Sequence, residues 1–186
     1  FQAEAAYRDS VASRGLGDVY KRQLGGLVIS RSIKTAGDSM NQAIITYVKN
    51  SYGLLIGENM AENVKKTICD VTDIPSESLK MAVRGRSLES GLPESIQLTA
   101  IDTKRALDES VIDIINTVVE TLDSTPPELS GDIMVDGIVL AGGGALLGGL
   151  SERLSKATRL KVTVADDPLM CVVRGCGKAL ELSLIH

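Results

Sequence analysis

The chain has 186 residues, of which 44% are hydrophobic and 24% charged, a balance typical of a soluble globular protein. Its net charge of −4 provides no attraction to a phosphate backbone, so nucleic acid is not an expected partner. The three cysteines, Cys69, Cys171 and Cys176, match no common zinc spacing and are expected to be free thiols. The single histidine is the last residue, so histidine catalysis and histidine metal ligation are not expected.

The two ends of the sequence differ in pattern from the rest. Residues 15–23 show no amphipathic period and join abruptly to a patterned region, and they resemble a peptide translated from sequencing-adapter DNA. Residues 182–186 resemble the same kind of read-through. We therefore expect residues 1–23 to be a non-native leader and residues 182–186 a non-native tail. A natural, variable N-terminal arm is the alternative for the first segment.

The first elements predicted in the patterned region are a strand and two helices. Residues 27–34 favour a strand pair or a bent strand. A helix is expected to begin at Asp38 as its N-cap and to stop at Gly53. A second helix is expected from Asn59, with Glu62 as its capping-box partner.

The middle of the chain predicts a hairpin followed by a long helix. Apolar and polar residues alternate in 79–84 and again in 96–99, and the turn residues 90–93 separate the two runs, which indicates an antiparallel hairpin. A helix follows from Asp102 and is ended by the prolines at 126–127. Its buried stripe is expected to be Leu107, Val111, Ile114, Ile115, Val118 and Leu122.

The last third predicts a strand, a glycine loop, a helix, a strand and a final helix. Residues 138–141 form a short apolar run, typical of a strand that is buried on both faces of a sheet. The glycines at 142–144 are expected to lead directly into a helix, residues 162–164 to form a strand, and Asp167 to cap the final helix. The whole pattern predicts an α/β core with a small inserted α+β lobe.

The glycine-rich segment 140–147 is the best local candidate for a binding site. Glycines between a strand and a helix let a ligand approach the backbone closely, and the helix N-terminus offers unpaired N–H groups. The same pattern is also common in plain tight strand–helix connections. The segment is not a P-loop, because no Gly-Lys-Ser/Thr follows, and its spacing does not match the Rossmann fingerprint.

Glu62 and Lys65 are the second candidate. They lie three residues apart on a predicted helix and therefore share a face. By themselves they are better explained as a surface ion pair worth at most about 0.5 kcal/mol.

Five segments together resemble the MreB family of bacterial actins, within the superfamily that includes actin and the heat-shock chaperone ATPases. They are residues 35–44 (TAGDSMNQAI), 56–65 (IGENMAENVK), 125–133 (TPPELSGDI), 140–147 (LAGGGALL) and 166–180 (DDPLMCVVRGCGKAL). The segments occur in the order that the family has, and the resemblance covers about residues 24–181. Five ordered matches are hard to reach by chance.

The resemblance implies domain II of the actin-like ATPase fold, an RNase H-like sheet core with an inserted α+β lobe. Residues 24–52 and 125–181 would form the subdomain IIA core, and residues 53–124 the inserted subdomain IIB. In the family the Glu and Lys of the second segment hold the sugar and base, and the glycine turn lies against the nucleotide. The residues thus implied to bind ATP are Glu62, Asn63, Val64, Lys65, Gly142, Gly143, Gly144, Ala145 and Leu146.

The resemblance also implies a function for the complete protein. It would be a cytoplasmic, ATP-binding protein that polymerises with itself at the inner face of the plasma membrane and acts with the membrane-bound cell-wall elongation machinery to set rod shape. The family's phosphate-binding loops, its Mg²⁺-organising Asp residues and its catalytic Glu precede the position of Leu24, where residues 15–23 stand instead. We therefore identify no catalytic or metal-binding residue here, and expect slow ATPase activity, with Mg²⁺ held by the N-terminal half, only of the full-length protein.

Other members of the superfamily are alternatives: a chaperone, a sugar kinase, or a division protein of the FtsA type. A chaperone's glycine loop usually continues with Ser-Thr-Arg, whereas this one continues with Ala145 and two leucines. The segments 125–129 and 167–169 favour MreB. One departure from the family pattern is Asn41, where many relatives have Asp, and it is expected to affect local pairing rather than the nucleotide.

Overall fold

The computed structural model of the chain describes residues 17–23, 26–76 and 78–183. Its strands and helices alternate along the chain, as predicted for an α/β protein. In chain order they are β1 Gly17–Gln23, β2 Gly26–Ile33, α1 Gly37–Tyr52, β3 Leu54–Leu55, α2 Glu58–Ile68, β4 Lys80–Ser87, β5 Pro93–Thr99, α3 Ala100–Asp123, α4 Pro127–Asp136, β6 Ile138–Leu140, a 3₁₀ turn Gly143–Leu146, α5 Leu150–Thr158, β7 Val162–Val164 and α6 Cys171–Ser183.

The strands form three small sheets. β1 pairs with β2 antiparallel, β3, β4 and β5 form an antiparallel sheet in that order, and β6 pairs with β7 in parallel. In the predicted hairpin Met81 lies opposite Leu98 and Val83 opposite Ile96, so the apolar alternation in the sequence corresponds to one face of the sheet. Val83 and Leu98 are 0% and 1% exposed. The hairpin prediction is confirmed.

A single hydrophobic cluster joins residues from all of the central helices. Ile44 of α1, Val64 of α2, Leu107 of α3 and Leu154 of α5 are each completely buried in it. The cluster also takes in Val83 and other residues of the antiparallel sheet, so one core underlies both regions that the sequence assigned to subdomains IIA and IIB. That division into subdomains stays a prediction.

Helix α1 begins differently from the prediction. Its N-cap is Ala36, and Ser39 Oγ accepts the Ala36 N–H at 2.8 Å. Asp38 is therefore not the cap; it lies within the first helical turn, where its charge favours the helix dipole. Gly53 ends the helix in the left-handed conformation, as predicted, with φ of 63° and its N–H bonded to the Lys49 carbonyl.

Helix α3 starts two residues before its predicted start. Thr99 is the N-cap, and Asp102 completes a capping box by accepting the N–H and hydroxyl of Thr99 at 3.0 and 2.6 Å. The helix ends at Asp123, ahead of the two prolines, and Pro127 then begins α4, which the sequence analysis did not predict.

Three predictions for the last third are wrong in detail. The glycines do not lead directly into an α-helix: a 3₁₀ turn follows them, and α5 begins only at Leu150. The final helix begins at Cys171 rather than at Asp167. Val139 is 64% exposed, so β6 is not buried on both faces.

The sequence predicted a non-native leader at residues 1–23 and a non-native tail at residues 182–186. Residues 1–16 and 184–186 lie outside the described residues, and residues 17–23 form β1. The origin of the two ends stays a prediction. Across the part of the chain that the structure describes, no helix has the length and apolar character needed to cross a bilayer.

Candidate functional site

Helix α2 carries Glu62 and Lys65 beside its buried stripe. The stripe consists of Ala61, Val64 and Ile68, which are 0 to 2% exposed and hold the helix in the hydrophobic cluster. The predicted capping box of this helix is absent: its N-cap is Gly57, with no side-chain cap. The Glu62 side chain is therefore free of a capping role and is bound in another way.

Three nitrogen donors converge on the Glu62 carboxylate. Lys65 Nζ lies 2.6 Å from Oε2, Asn41 Nδ2 donates to the same oxygen at 2.9 Å, and Lys66 Nζ lies 3.0 Å from Oε1. These hydrogen bonds, with Lys65 contributing most, then Asn41 and then Lys66, lower the pKa of Glu62 to about 2. Glu62 is thus an ionised, acceptor-only carboxylate near neutral pH.

Lys65 connects α2 to the start of α1. Its Nζ donates to the Gly37 carbonyl at 3.0 Å as well as pairing with Glu62, and its side chain is only 13% exposed. Lys66 is 71% exposed and reaches Glu62 alone. Of the two lysines, Lys65 is therefore the one whose ammonium group is held in a fixed place, between Glu62 and the Gly37 carbonyl.

The two residues between Glu62 and Lys65 differ from them in position. Asn63 is exposed, and its Oδ1 accepts the Thr67 hydroxyl one turn later at 3.3 Å. Val64 is completely buried in the core. Val64 therefore anchors the helix and presents no surface to a ligand in this structure, while the predicted contact of Asn63 with a nucleotide stays a prediction.

Asn41 is the site residue whose role the sequence analysis missed. It lies on α1 among the core positions Met40 and Ile44, and it is only 7% exposed. The signal available in the sequence was an amide at a position that the helical period places on the buried face. That signal shows burial of a polar group, but the partner on α2 follows only from how the helices pack.

The glycine turn is a separate piece of backbone. Gly142 has φ of +83°, a conformation that favours glycine, and its N–H donates to the Pro168 carbonyl at 2.8 Å. No atom lies within 4 Å of where a Cβ would stand on Gly142 or Gly144, so both glycines face open space. Ala145 is buried, whereas Leu146 is 60% exposed at the end of the turn.

The two candidate segments are joined by the residues that follow each of them. Val71, just beyond α2, donates its N–H to the Gly148 carbonyl at 2.8 Å, and Asp70 forms a parallel bridge with Gly148. Gly148 and Gly149 pack closely on the backbone of Cys69 and Thr72. The structure therefore joins the residues that follow the glycine turn to the residues that follow α2, the helix that carries Lys65 in its last turn.

A family model described as MreB/Mbl protein matches residues 15–184. The chain belongs to the MreB/Mbl family. The match decides against the chaperone, sugar-kinase and FtsA-type alternatives. Its range includes residues of both segments that the sequence analysis assigned to a leader and a tail.

Curated relatives agree with this assignment. The chain is 42% identical over 173 residues to the cell shape-determining protein MreB of Escherichia coli K12, in an alignment covering 92% of this chain and 49% of that protein. It is 40% identical over 168 residues to the cell shape-determining protein Mbl of Bacillus subtilis 168, covering 90% of this chain and 50% of that one. The chain therefore spans about half the length of the curated relatives it matches.

Solved structures confirm the actin-like fold. The crystal structure of MreB 5 of Spiroplasma citri bound to AMPPNP has a TM-score of 0.85 and 34% identity, with 91% of this chain and 52% of that chain covered. A MamK double helical filament has a TM-score of 0.76 at 24% identity, with 90% and 51% covered, and shows the shared fold alone. The predicted α/β class and its actin-like architecture are confirmed.

Proposed function

We propose that this chain is the nucleoside-binding half of an ATP-dependent bacterial actin. The observation that carries the proposal is the Glu62 carboxylate, which Lys65, Lys66 and Asn41 hold ionised and fixed at the surface of α2. A fixed carboxylate accepts hydrogen bonds from a pair of neighbouring hydroxyls, such as the 2′ and 3′ hydroxyls of ribose. The Spiroplasma relative, with the same fold, is bound to AMPPNP in one structure and to ADP in another.

The glycine turn fits the same ligand. Open space beside Gly142 and Gly144 lets a planar base or a sugar pass close to the backbone, and the exposed Leu146 side chain offers an apolar surface next to it. Lys65 would lie along the nucleoside, with its Nζ kept in place by the Gly37 carbonyl. Side chains at the two glycines would narrow this space.

The proposal assigns the nucleoside, and not the phosphates, to these residues. By the family resemblance, the phosphate-binding loops and the Mg²⁺ ligands would belong to the part of the fold that precedes residue 24. Mg²⁺, when bound there, would neutralise phosphate charge. Under this proposal Glu62, Lys65 and the glycine turn bind and orient the sugar and base.

Calorimetric titration of the 186-residue chain with adenosine, ADP, ATP and 2′,3′-dideoxy-ATP tests this assignment. If the chain binds the nucleoside and not the phosphates, adenosine, ADP and ATP bind with similar affinity. Dideoxy-ATP lacks the two ribose hydroxyls and binds about 10- to 100-fold more weakly, because hydrogen bonds to a charged carboxylate are lost. Glu62→Gln weakens ATP by a similar factor, and it does not weaken dideoxy-ATP further, because both changes remove the same hydrogen bonds.

Glu58→Gln is the matched control for this titration. Glu58 is an exposed carboxylate one turn earlier on α2, where its Oε1 accepts from Gln42 at 3.0 Å. Its loss leaves the affinity for ATP unchanged. Equal affinity of the wild-type chain for ATP and dideoxy-ATP, or additive losses in the Glu62 variant, would show that Glu62 does not bind the ribose.

Family membership supports a wider proposal for the complete protein. It would polymerise with ATP on the inner face of the plasma membrane and guide the cell-wall elongation machinery, as a cytoplasmic, cell shape-determining filament. A chimera in which this chain replaces the matching half of Escherichia coli MreB tests this proposal, and the alignment that defines the junction covers 92% of this chain and 49% of that protein. We expect the chimera to restore rod shape to cells lacking their own MreB and the same chimera with Glu62→Gln to fail. Round cells with a stably expressed wild-type chimera would contradict the proposal.

A further inference from the structure

The Asn41 amide is the one polar side chain that reaches Glu62 from a different helix among the described residues. Its Nδ2 donates to Glu62 Oε2 at 2.9 Å, across 21 positions in sequence, while Lys65 and Lys66 both lie on α2 itself. Asn41 is only 7% exposed. Its Oδ1 is buried, and no donor in the described part of the chain reaches that atom.

The orientation of this amide follows from its neighbour. Turning it over would put Oδ1 at hydrogen-bonding distance from a carboxylate oxygen, and two acceptors in contact repel. The nitrogen must therefore face Glu62, and the oxygen is left buried without a partner. An unpaired buried carbonyl destabilises the fold, whereas Leu or Met at this position would bury similar volume without that penalty. Burial alone therefore does not account for an amide at this position, whereas its hydrogen bond to Glu62 does.

We propose that Asn41 is a positioning residue for nucleoside binding, which holds the Glu62 carboxylate across the α1–α2 junction. Lys65 and Lys66 lie three and four residues after Glu62 on α2, so both attract its carboxylate towards the C-terminal end of that helix. Asn41 holds the carboxylate from the side of α1, because its own helix is anchored in the core by Met40 and Ile44. This inference rests on the proposed function, and it adds a residue that the family resemblance did not assign to the nucleotide.

The charges around Glu62 define what a substitution of Asn41 would do. Lys65 and Lys66 are the cations on its own helix, and α1 contributes the Asn41 amide and the Gly37 carbonyl that binds Lys65. On α3, Asp102 is the buried acid that faces α1, and it is bound to Tyr47 and Thr99. No acid among the described residues shares a hydrogen bond with Glu62, so an Asp at position 41 would introduce the first carboxylate partner.

The first measurement needs no nucleotide. Titration of the glutamate carboxyl carbons by NMR, in the 186-residue chain, follows the pKa of Glu62 in wild type, Asn41→Leu and Asn41→Asp. We expect the pKa to rise above its wild-type value of about 2 in Asn41→Leu, because a donor to the ionised form is lost. In Asn41→Asp two adjacent carboxylates share one proton, and the rise is larger.

A matched control is available one residue along the chain. Gln42→Leu removes an exposed amide that donates to Glu58 at 3.0 Å, so it leaves the titration of Glu62 unchanged. If the pKa of Glu62 is the same in Asn41→Leu as in wild type, the inference is overturned. Asn41→Asp provides the same answer if Asn41→Leu does not fold.

The second measurement is the affinity for ATP as a function of pH. Wild type binds equally between about pH 5 and 8, because Glu62 stays ionised there. Asn41→Leu binds about tenfold more weakly at every pH. Asn41→Asp approaches wild-type affinity at low pH, where the shared proton replaces the amide donor, and loses affinity as the pH rises and both groups ionise.

The two measurements separate the inference from the proposed function. A raised pKa of Glu62 in Asn41→Leu, in a chain that does not bind ATP, would contradict nucleoside binding while showing that Asn41 holds Glu62. ATP binding that Glu62→Gln weakens and Asn41→Leu does not would leave the nucleoside site in place and overturn the role of Asn41. A purely structural role of Asn41 would change the melting temperature of Asn41→Leu without a change in the pKa of Glu62 or in the affinity for ATP.

Discussion

The substitution Gly148→Ala tests the contact between the segment that follows the glycine turn and the segment that follows α2. A Cβ built on Gly148 would lie 2.5 Å from the Cys69 carbonyl oxygen, about 0.9 Å closer than the 3.4 Å at which ordinary contact begins. The obstacle is backbone, which cannot rotate away as a side chain can. Gly148 does not have a positive φ, so Ala is strained there only by this contact.

The expected cost of Gly148→Ala is the sum of two effects. Overpacking of this kind costs about 1–3 kcal/mol, since the backbone on one side must move. Movement also weakens the hydrogen bond from Val71 N–H to the Gly148 carbonyl, 2.8 Å long, which is worth about 1 kcal/mol. We therefore expect the free energy of unfolding to fall by about 2–4 kcal/mol.

Urea unfolding followed by far-ultraviolet circular dichroism measures this change, because the chain has no tryptophan to serve as a fluorescent probe. Gly131→Ala is the control: Gly131 lies in α4, and nothing lies within 4 Å of where its Cβ would stand. That variant gains about 0.5–1 kcal/mol from helix propensity alone. Gly148→Ala within about 0.5 kcal/mol of wild type would refute the junction described here.

Three further predictions concern α2 and α3. The folded pKa of Glu62 is about 2 against an ordinary 4.5, so its contribution to stability is present above pH 4.5 and is lost as the pH falls towards 2. With the side chain 35% exposed, solvent screening reduces that contribution to about 1 kcal/mol, and Glu62→Gln loses this amount at pH 7 but not at pH 2 in urea titrations. Thr99→Ala removes the N-cap of α3 and lowers stability by about 1 kcal/mol, seen as a lower melting temperature. Leu107→Ala in α3, at 0% exposure, costs about 2–5 kcal/mol in urea unfolding.

Each of these three has a result that counts against it. An equal loss of stability at pH 7 and pH 2 in Glu62→Gln would mean that the charge of Glu62 is not what stabilises the fold. Unchanged melting of Thr99→Ala would show that α3 does not depend on its capping box. Ile112→Ala is the comparison for Leu107→Ala, because Ile112 is 42% exposed on the same helix, and equal losses from the two would contradict the buried face assigned to α3.

Local patterns in the sequence predicted those elements whose structure depends on near neighbours. The hairpin of β4 and β5 followed from alternation, because each residue of a strand faces the opposite side from the next. The end of α1 followed from Gly53, since the left-handed conformation is accessible to glycine without strain. The family resemblance followed from the order of five motifs and is confirmed by the match over residues 15–184.

The start of α5 could not be obtained from periodicity. Leu146, Leu147, Leu150 and Leu154 recur at helical spacing, which predicted a helix directly after the glycines. In the structure Gly149 has φ of +82° and packs against Thr72, so the helix begins only after it. Similarly, the Pro168 carbonyl is bound by Gly142 N–H, and α6 begins after this turn.

By itself the sequence determined the family, the alternation of helices and strands, and the choice of Glu62, Lys65 and the glycine turn as candidates. Each of these depends on residue types at short spacing, which the amino-acid sequence displays directly. Only the tertiary structure decided that Asn41 binds Glu62 and that Gly148 contacts the Cys69 carbonyl. Those contacts join residues far apart in sequence, and the packing of α1, α2 and the glycine turn on one core brings them together.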